Sequence, residues 1–276
     1  MTRLPKNAIL TGLPRSGTTM MCSLLNQIPN VVALHEPMEP GLSVGLNNEE
    51  IVASIQVFFD KQRDLIRNEG RARSKSYKGS VPTNPLSDVL IDGKRERLID
   101  GMNIAVSNVS SATFSLYLKH PGFFTVCLPF LSKHFPCYAT VRNPLSVLLS
   151  WQKAGMAVSN GRLPAAEPFD PRLRDALAAE PDRIERQIII LEYFYRMYST
   201  HIPDHTIRYE DVIATKGRSF AIIEPGAARF NETLESRNKL NIGDSEEVRN
   251  LLDRLVNRPQ VYDRFYSRQD VMSLVA

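Results

Sequence analysis

The sequence predicts an α/β protein in which a central parallel sheet is flanked by helices. Short apolar runs of strand length alternate along the chain with longer segments whose apolar residues recur at helical spacing. This alternation is typical of a parallel sheet with helices on both faces. No repeat or low-complexity segment interrupts it, so we expect a single domain over residues 1–276.

The N-terminal part is predicted to contain two strands and two helices. NAILTGL is short, apolar and closed by glycine and proline, which favours a buried strand, and NVVALHE favours a second. SGTTMMCSLLNQI between them has helical spacing, and EEIVASIQVFFDKQRDLIRNEG is typical of an amphipathic helix that stops at Gly70. The polar and basic stretch that follows is interpreted as a mobile loop or lid insertion around residues 70–95.

The remaining elements follow the same alternation. FSLYLKHP and CYATVRNP predict two further strands, with the helix-like GFFTVCLPFLSKHF between them, and PLSVLLSWQKAG begins another helix. Prolines punctuate a second irregular insertion around residues 156–181. The long helix DRIERQIIILEYFYRMYSTH, a last strand in HTIRYEDV and C-terminal helical segments complete the chain.

Composition and charge narrow the functional classes. The apolar fraction of 43% and charged fraction of 23% are ordinary for a soluble globular protein. A net charge of +4 suits an anionic ligand but is too small to indicate nucleic acid. No apolar stretch is long enough to span a bilayer, and the first residues are too weakly apolar for a signal peptide, so we expect a cytoplasmic protein. Cys22, Cys127 and Cys137 are predicted to be buried thiols.

The notable polar residues cluster at predicted strand ends. Arg15, Glu36, Lys119, Arg142 and Tyr209 each lie at or just past the end of a strand. In parallel sheets ligands bind beyond the carboxyl ends of the strands. We therefore expect these residues to form one site.

The stretch GLPRSGTT after the first strand predicts a phosphate-binding loop. Gly12 and Gly17 permit the backbone turns, Thr18 and Thr19 add hydroxyl donors, and the following helix offers unpaired N–H groups. The alternative is an ordinary strand–helix turn that contains glycine. The lysine of a nucleoside triphosphatase loop is absent, and CYATVRNP ends in Arg142 rather than in an acid, which disfavours a metal-centred kinase or ATPase.

Three stretches in order resemble the PAPS-dependent sulfotransferases (PAPS is 3′-phosphoadenosine 5′-phosphosulfate). GLPRSGTT is similar to their loop for the 5′-phosphosulfate, VRNPLSVLLSW to their 3′-phosphate signature, and RYEDV to an element near the adenine. The resemblance spans residues 8 to 212 and implies a P-loop-like fold. It also implies a set of cofactor-binding residues: Arg15, Ser16, Gly17, Thr18, Thr19, Arg142, Ser150 and Tyr209.

The resemblance also suggests catalytic residues. Arg15 is predicted to stabilise the leaving phosphate and Lys119 the sulfuryl group, with no metal required. The cytosolic branch has a histidine base two residues after the lysine, where this chain has Pro121. Branches with the PRSGTT loop, such as tyrosylprotein and bacterial sulfotransferases, use a glutamate after the second strand, which here is Glu36. The alternatives for Glu36 are a helix cap or an ion pair with a loop arginine, and the neighbouring histidines His35 and His120 are interpreted as structural.

The expected partners are PAPS, its product PAP (the desulfated cofactor) and an acceptor with a hydroxyl. The acceptor is expected to be a carbohydrate, lipid or small molecule in preference to a peptide tyrosine, without nucleic acid or membrane insertion. The runner-up is a P-loop nucleotide-dependent kinase, and a third interpretation is a PAPS-binding module without turnover. The segment Ser236 to Asn241 is interpreted as one that closes over the cofactor, without assigned residue roles. A basic stretch is either a solvated loop or a gate that recruits an anionic acceptor; its residues are Arg71, Arg73, Lys75 and Lys78.

Overall fold

The computed structural model of the chain describes residues 6–238, 246–258 and 261–275. Its strands are β1 (Lys6–Gly12), β2 (Val31–His35), β3 (Arg71–Ser76), β4 (Leu86–Ile91), β5 (Lys94–Arg97), β6 (Gly101–Ala105), β7 (Ser115–Lys119), β8 (Cys137–Val141) and β9 (Thr206–Arg208). Its helices are α1 (Thr18–Leu25), α2 (Asn48–Glu69), α3 (Pro121–Val126), α4 (Leu128–Leu131), α5 (Pro144–Gln152), α6 (Pro171–Ala179), α7 (Arg183–His201), α8 (Tyr209–Ala214), α9 (Glu246–Val256) and α10 (Arg268–Met272).

A five-stranded parallel sheet forms the centre, in the order β2-β7-β1-β8-β9. Every residue of β2, β7 and β8 is buried, as expected for short apolar strands that are covered on both faces by helices. The arrangement confirms the predicted α/β class with a central parallel sheet.

The strand register brings the predicted polar residues to one edge. His35 at the end of β2 is level with Lys119 at the end of β7, and Gly12 at the end of β1 is level with Thr140 in β8. Because all four strands run in the same direction, the loops that follow them open on the same side of the sheet.

The helix α2 begins and ends as its sequence indicates. Asn47 and Glu50 form a reciprocal capping box at its start, and Gly70 adopts a left-handed conformation (φ 61°) at its end.

The stretch predicted as a loop around residues 70–95 contains three strands instead. β3 pairs with β6 as an antiparallel ribbon, and β4 and β5 form a hairpin. The prediction was wrong for β3 because RARSKS buries small residues, Ala72, Ser74 and Ser76, rather than large apolar ones. The hairpin turn is Asp92-Gly93 with positive φ at both residues, a sequence signal for a tight turn that the loop interpretation overlooked.

Other boundaries differ in detail. The second irregular insertion contains a 3-10 turn at Ala157–Asn160 and the helix α6. The last predicted strand is only three residues long, and Tyr209 begins the helix α8 rather than ending a strand. The three cysteines are buried and unpaired, as predicted. In the described parts of the chain, no helix combines the length and apolarity needed to cross a membrane.

Candidate active site

A cavity of about 1190 Å³ opens where the carboxyl ends of the strands meet. Most of the residues singled out from the sequence line it: Arg15, Gly17, Thr18, Thr19, Glu36, Lys119, Arg142 and Tyr209. Ser150 reaches this group through a hydrogen bond from the Arg15 side chain. The structure does not bring the Ser16 hydroxyl to the cavity, because it is turned inward and bonded to the backbone carbonyls of Leu13 and Thr140 at 2.7 and 2.8 Å.

The loop between β1 and α1 is held from two sides. On one side, Gly12 has a φ of +147° and lies so close to β8 that a Cβ atom on it would be 2.5 Å from the Thr140 carbonyl oxygen. On the other side the indole Nε1 of Trp151 in α5 donates to the Pro14 carbonyl at 2.9 Å. A rigid loop of this kind fixes the direction of its free N–H groups.

The helix that follows presents an unneutralised N-terminus to the cavity. Its N-cap, Gly17, is left-handed (φ 86°) and supplies no side-chain cap, and the first turn of α1 contains no acidic residue. Thr18 and Thr19 in that turn line the cavity. The unpaired N–H groups and the helix dipole at this end favour an anion.

Two arginines meet beside this loop. Arg15 donates from Nε to Ser150 Oγ at 3.3 Å and from Nη1 to Asn84 Oδ1 at 3.2 Å. Arg142 donates from Nε to Asn238 Oδ1 at 2.7 Å and from Nη1 to the Arg15 carbonyl at 3.0 Å. The Nη2 of Arg142 is buried without a hydrogen-bond partner among the described residues.

This arginine cluster carries more positive charge than its surroundings balance. Burial, followed by the neighbouring charges of Arg142, Arg95 and Arg237, lowers the pKa of Arg15 to about 9. Asp88 is ion-paired with Arg237, and Glu210, which accepts from Asn238, is the acid with the strongest effect on the pKa of Arg142. Within the described ranges neither Arg15 nor Arg142 forms a salt bridge, so the cluster is suited to a phosphate group.

The Tyr209 ring lies between the phosphate loop and this cluster. The guanidinium of Arg142 stacks over it at 4.8 Å, and a Cβ on Gly17 would be 3.1 Å from it. Its hydroxyl accepts from the Arg237 N–H at 3.0 Å and donates to the Glu235 carbonyl at 3.3 Å. Of the predicted closing segment, Ser236, Arg237 and Asn238 are described and border the cavity or contact Arg142, whereas residues 239–241 lie outside the described residues.

A second charged cluster surrounds Glu36. Lys119 Nζ donates to Glu36 Oε1 at 3.1 Å and contacts His35 Nδ1 at 3.2 Å. Lys75 Nζ donates to the other carboxylate oxygen, Oε2. Glu36 is therefore neither a helix cap nor paired with a loop arginine; the nearby Arg73 pairs with Glu39 instead.

The environment keeps Glu36 ionised. Burial alone would raise the pKa of Glu36, but the positive charges of Lys119, then of His35 and His120, and last of Lys75 outweigh it and hold that pKa well below its ordinary value. Burial lowers the pKa of Lys119, and the Glu36 carboxylate is the main group that opposes this effect. Buried Lys119 and half-buried Glu36 thus form an ion pair at the end of the sheet.

His120 lies at the edge of this cluster but is poorly placed as a base. Its Nδ1 accepts the N–H of Phe123 at the start of α3, at 3.4 Å, so its Nε2 carries the proton in the neutral ring. Burial lowers the pKa of His120 to about 4. A ring with this bonding donates a hydrogen bond at neutral pH rather than accepting a proton.

The predicted site residues therefore fall into two groups within one cavity. Arg15 lies with Arg142 and Ser150, and no contact joins it to Lys119 or Glu36. In the described ranges, no group of three or more His, Cys, Asp or Glu side chains is arranged to hold a metal ion.

Sequence reasoning missed several residues of the site. Arg95 and Arg237 belong to the arginine cluster, and Asn84 and Asn238 position its two central members. Lys75 was noted only as one of several basic residues. The alternation of long and small residues in RARSKS would have placed Lys75 on the same face as Arg73 in a strand, but nothing in the sequence pairs it with Glu36.

No family model and no curated protein matches the sequence significantly. Among solved structures, those aligned with it include three bacterial sulfotransferases. Sulfotransferase STF1 from Mycobacterium tuberculosis H37Rv is 15% identical over 99% of this chain and 77% of its own, with a TM-score of 0.35. The sulfotransferase domain of the Synechococcus PCC 7002 olefin synthase is 14% identical over 99% of this chain and 94% of its own, with a TM-score of 0.35. Sulfotransferase STF9 from Mycobacterium avium is 14% identical over 99% of this chain and 76% of its own, also with a TM-score of 0.35. Likeness at this level carries no weight for function, which rests on the site itself.

Proposed function

We propose that this protein is a PAPS-dependent sulfotransferase that transfers the sulfuryl group to an acceptor hydroxyl. The observation that carries the proposal is one cavity with two separate features. An uncapped helix N-terminus beside unpaired arginines suits a ligand with more than one phosphate, and a Lys119–Glu36 ion pair lies apart from them. PAPS has phosphate groups on two ribose positions and a transferable group at one end.

In this proposal the loop and the first turn of α1 bind the 5′-phosphosulfate. The N–H groups of Gly17, Thr18 and Thr19 and the two threonine hydroxyls are the donors. Ser16 shapes the loop through its inward hydroxyl bonds rather than binding the ligand with its side chain.

The 3′-phosphate is assigned to the arginine cluster. Its proposed ligands are the Arg15 guanidinium, the Ser150 hydroxyl and the Nη2 of Arg142, for which the described residues supply no partner. A planar guanidinium that still has a free N–H group suits a phosphate oxygen. The Tyr209 ring beside them is assigned to the adenine, with Arg142 already stacked on one face.

The chemistry is an in-line displacement at sulfur. The acceptor oxygen forms a bond to sulfur, the bond from sulfur to the 5′-phosphate oxygen breaks, and PAP leaves. Glu36 takes the proton of the acceptor hydroxyl, and Lys119 balances the charge on the sulfuryl oxygens. The phosphate loop, which includes Arg15, stabilises the leaving phosphate.

The kinase alternative is not favoured. A nucleoside triphosphate kinase needs a lysine after the second glycine of its loop and an acid that holds Mg²⁺. Thr18 stands in the first position, and β8 is followed by Arg142. A binding module without turnover would have no use for a half-buried carboxylate beside buried Lys119, since taking such a pair out of water is costly.

Ligand-induced stabilisation tests the proposed function. PAP should raise the melting temperature much more than ADP or ATP with Mg²⁺, because only PAP has the 3′-phosphate. At a PAP concentration of about 100 times its dissociation constant, the expected gain in unfolding free energy is about 2.7 kcal/mol.

Arg142→Ala should remove the preference for PAP over ADP. Arg174→Ala on α6, where the side chain is exposed and paired with Asp175, is the matched control and should retain it. Equal stabilisation by PAP and ADP in the unmodified protein would refute the cofactor assignment. A larger effect of ATP with Mg²⁺ would support the kinase.

A further inference from the structure

Both carboxylate oxygens of Glu36 are occupied. Oε1 accepts from Lys119 at 3.1 Å, and Oε2 accepts from Lys75. A general base must have an oxygen within hydrogen-bond reach of the proton that it takes. Each oxygen still has a second lone pair, but a carboxylate held by two ammonium groups is a weaker base than one held by a single group, so Glu36 becomes a stronger base if one lysine leaves when the acceptor binds.

The two lysines are held very differently. Lys119 belongs to the central sheet, has a side chain that is 2% exposed and also contacts His35. Lys75 belongs to the ribbon formed by β3 and β6, outside the central sheet, and its side chain is 23% exposed. Among the described contacts, Glu36 is the partner of the Lys75 ammonium group. Lys75 is the lysine that can move at lower cost.

We propose that Lys75 is a positioning residue that holds Oε2 of Glu36 in the free protein and yields it to the acceptor hydroxyl. This inference rests on the proposed function, in which Glu36 is the base. Its consequence is electrostatic. A carboxylate between two ammonium groups is a weak base, whereas one that keeps only Lys119 accepts a proton more readily. Acceptor binding then both orients the hydroxyl and strengthens the base.

Five titratable side chains face Glu36 from the surrounding elements: Cys22 from α1, His35 from β2, Lys75 from β3, and Lys119 and His120 from the end of β7. The two histidines are neutral at neutral pH because burial lowers the pKa of both. Burial raises the pKa of the Cys22 thiol to about 12, so it is uncharged as well. At neutral pH the charged side chains among these five are therefore Lys119 and Lys75, and both form an ion pair with Glu36.

The first test follows the Glu36 carboxyl carbon directly by NMR in protein with ¹³C-labelled glutamate, without substrate. The signal is assigned by its loss in Glu36→Gln. Lys75→Met should move the Glu36 titration to higher pH. Lys78→Met should not, because Lys78 lies on the same segment but stacks on Tyr77 instead. A Glu36 titration that Lys75→Met leaves unchanged overturns the inference, and Lys75→Gln serves as a second neutral variant if Lys75→Met does not fold.

The second test measures turnover of PAPS with octanol and with methyl glucoside as probe acceptors. At neutral pH Lys75→Met should raise kcat/KM, because Glu36 then keeps only Lys119 as a charged partner, and the acidic limb of its pH profile should move to higher pH. Lys75→Arg keeps the charge and should keep the original profile. A loss of about 10²–10³-fold at every pH in Lys75→Met would make Lys75 a cation that stabilises the transition state, and would overturn the inference.

The two proposals fail in distinguishable ways. If the proposed function is wrong, PAP does not stabilise the protein and PAPS is not turned over, yet the NMR titration still reports whether Lys75 controls Glu36. If only the Lys75 inference is wrong, PAP binding and turnover persist and the titration does not move.

Discussion

Glu36 is the residue on which the proposed chemistry depends. Glu36 directly follows β2 and has a left-handed backbone conformation (φ 45°). Its backbone N–H donates to the Lys119 carbonyl at 2.8 Å. These contacts fix the side chain at the end of the sheet, and Lys119 keeps it charged. His120 has no comparable free lone pair, since its Nδ1 already accepts a backbone N–H.

Glu36→Gln should separate catalysis from cofactor binding. The amide keeps the size of the side chain but cannot take a proton, so kcat should fall by about 10²–10⁴-fold while the affinity for PAP hardly changes. The measurements are single-turnover kinetics with PAPS and a PAP titration by calorimetry. Glu39→Gln, which alters the exposed acid paired with Arg73, is the control and should behave like the unmodified protein. Full activity in Glu36→Gln would show that another group is the base.

At the scale of elements, the helix α5 contacts both the arginine cluster and the loop between β1 and α1. Asn143 caps its start by accepting from the N–H groups of Leu145 and Ser146, which turns the chain sharply after Arg142. About two turns further on, Ser150 accepts from Arg15, and Trp151 holds the loop between β1 and α1 through the Pro14 carbonyl. The helix therefore links the loop to the arginine cluster.

Trp151→Phe should weaken both the fold and cofactor binding. The substitution leaves the buried Pro14 carbonyl without its donor, which should lower the unfolding free energy by about 1–3 kcal/mol. PAP affinity should fall as well, because the loop loses its anchor. Asn47→Ala is the matched control: it removes a helix cap far from the loop, at a cost of about 1 kcal/mol, and should leave PAP affinity unchanged. Denaturant titrations and calorimetry compare the two, and equal PAP affinity in both variants would contradict the anchoring role.

At the scale of the whole molecule, folding brings together titratable side chains that are distant in sequence and largely removes them from water. The end of the sheet holds two buried neutral histidines, a buried lysine and a half-buried glutamate within one cluster. Stability should therefore depend on pH through this cluster.

Acidification should destabilise the protein through His120. Its pKa is about 4 in the folded state and about 6.5 when unfolded, so between these values the unfolded chain binds the extra proton and stability is lost as pH falls. For one such group the loss approaches about 1.4 kcal/mol per pH unit. His120→Asn preserves an acceptor for the Phe123 N–H and should flatten the dependence. His134→Asn, at an exposed position, should not. Denaturant titrations between pH 7 and pH 5 measure this, and identical slopes in all three proteins would contradict the assignment.

Some features were readable from local sequence. The buried strands, the capped helix α2 and the glycine-containing turn between β1 and α1 follow from apolar runs, caps and glycines, whose effects act within a few residues. The convergence of Arg15, Glu36, Lys119 and Arg142 on one cavity followed from the rule that parallel strands share one carboxyl edge.

What the sequence determined by itself was thus the class of fold, the order of its main elements and the edge of the sheet where the polar residues meet. Tertiary structure alone decided how those residues are partnered. It placed Arg15 with Ser150 rather than with Lys119, turned Ser16 inward, and brought Lys75 from a short ribbon onto Glu36. The physical reason is that strand and helix signals arise from neighbours along the chain. The partner of a buried charge depends instead on which side chains folding brings within hydrogen-bond distance. For β3 even the strand could not be predicted, because RARSKS has no alternating pattern of large apolar residues.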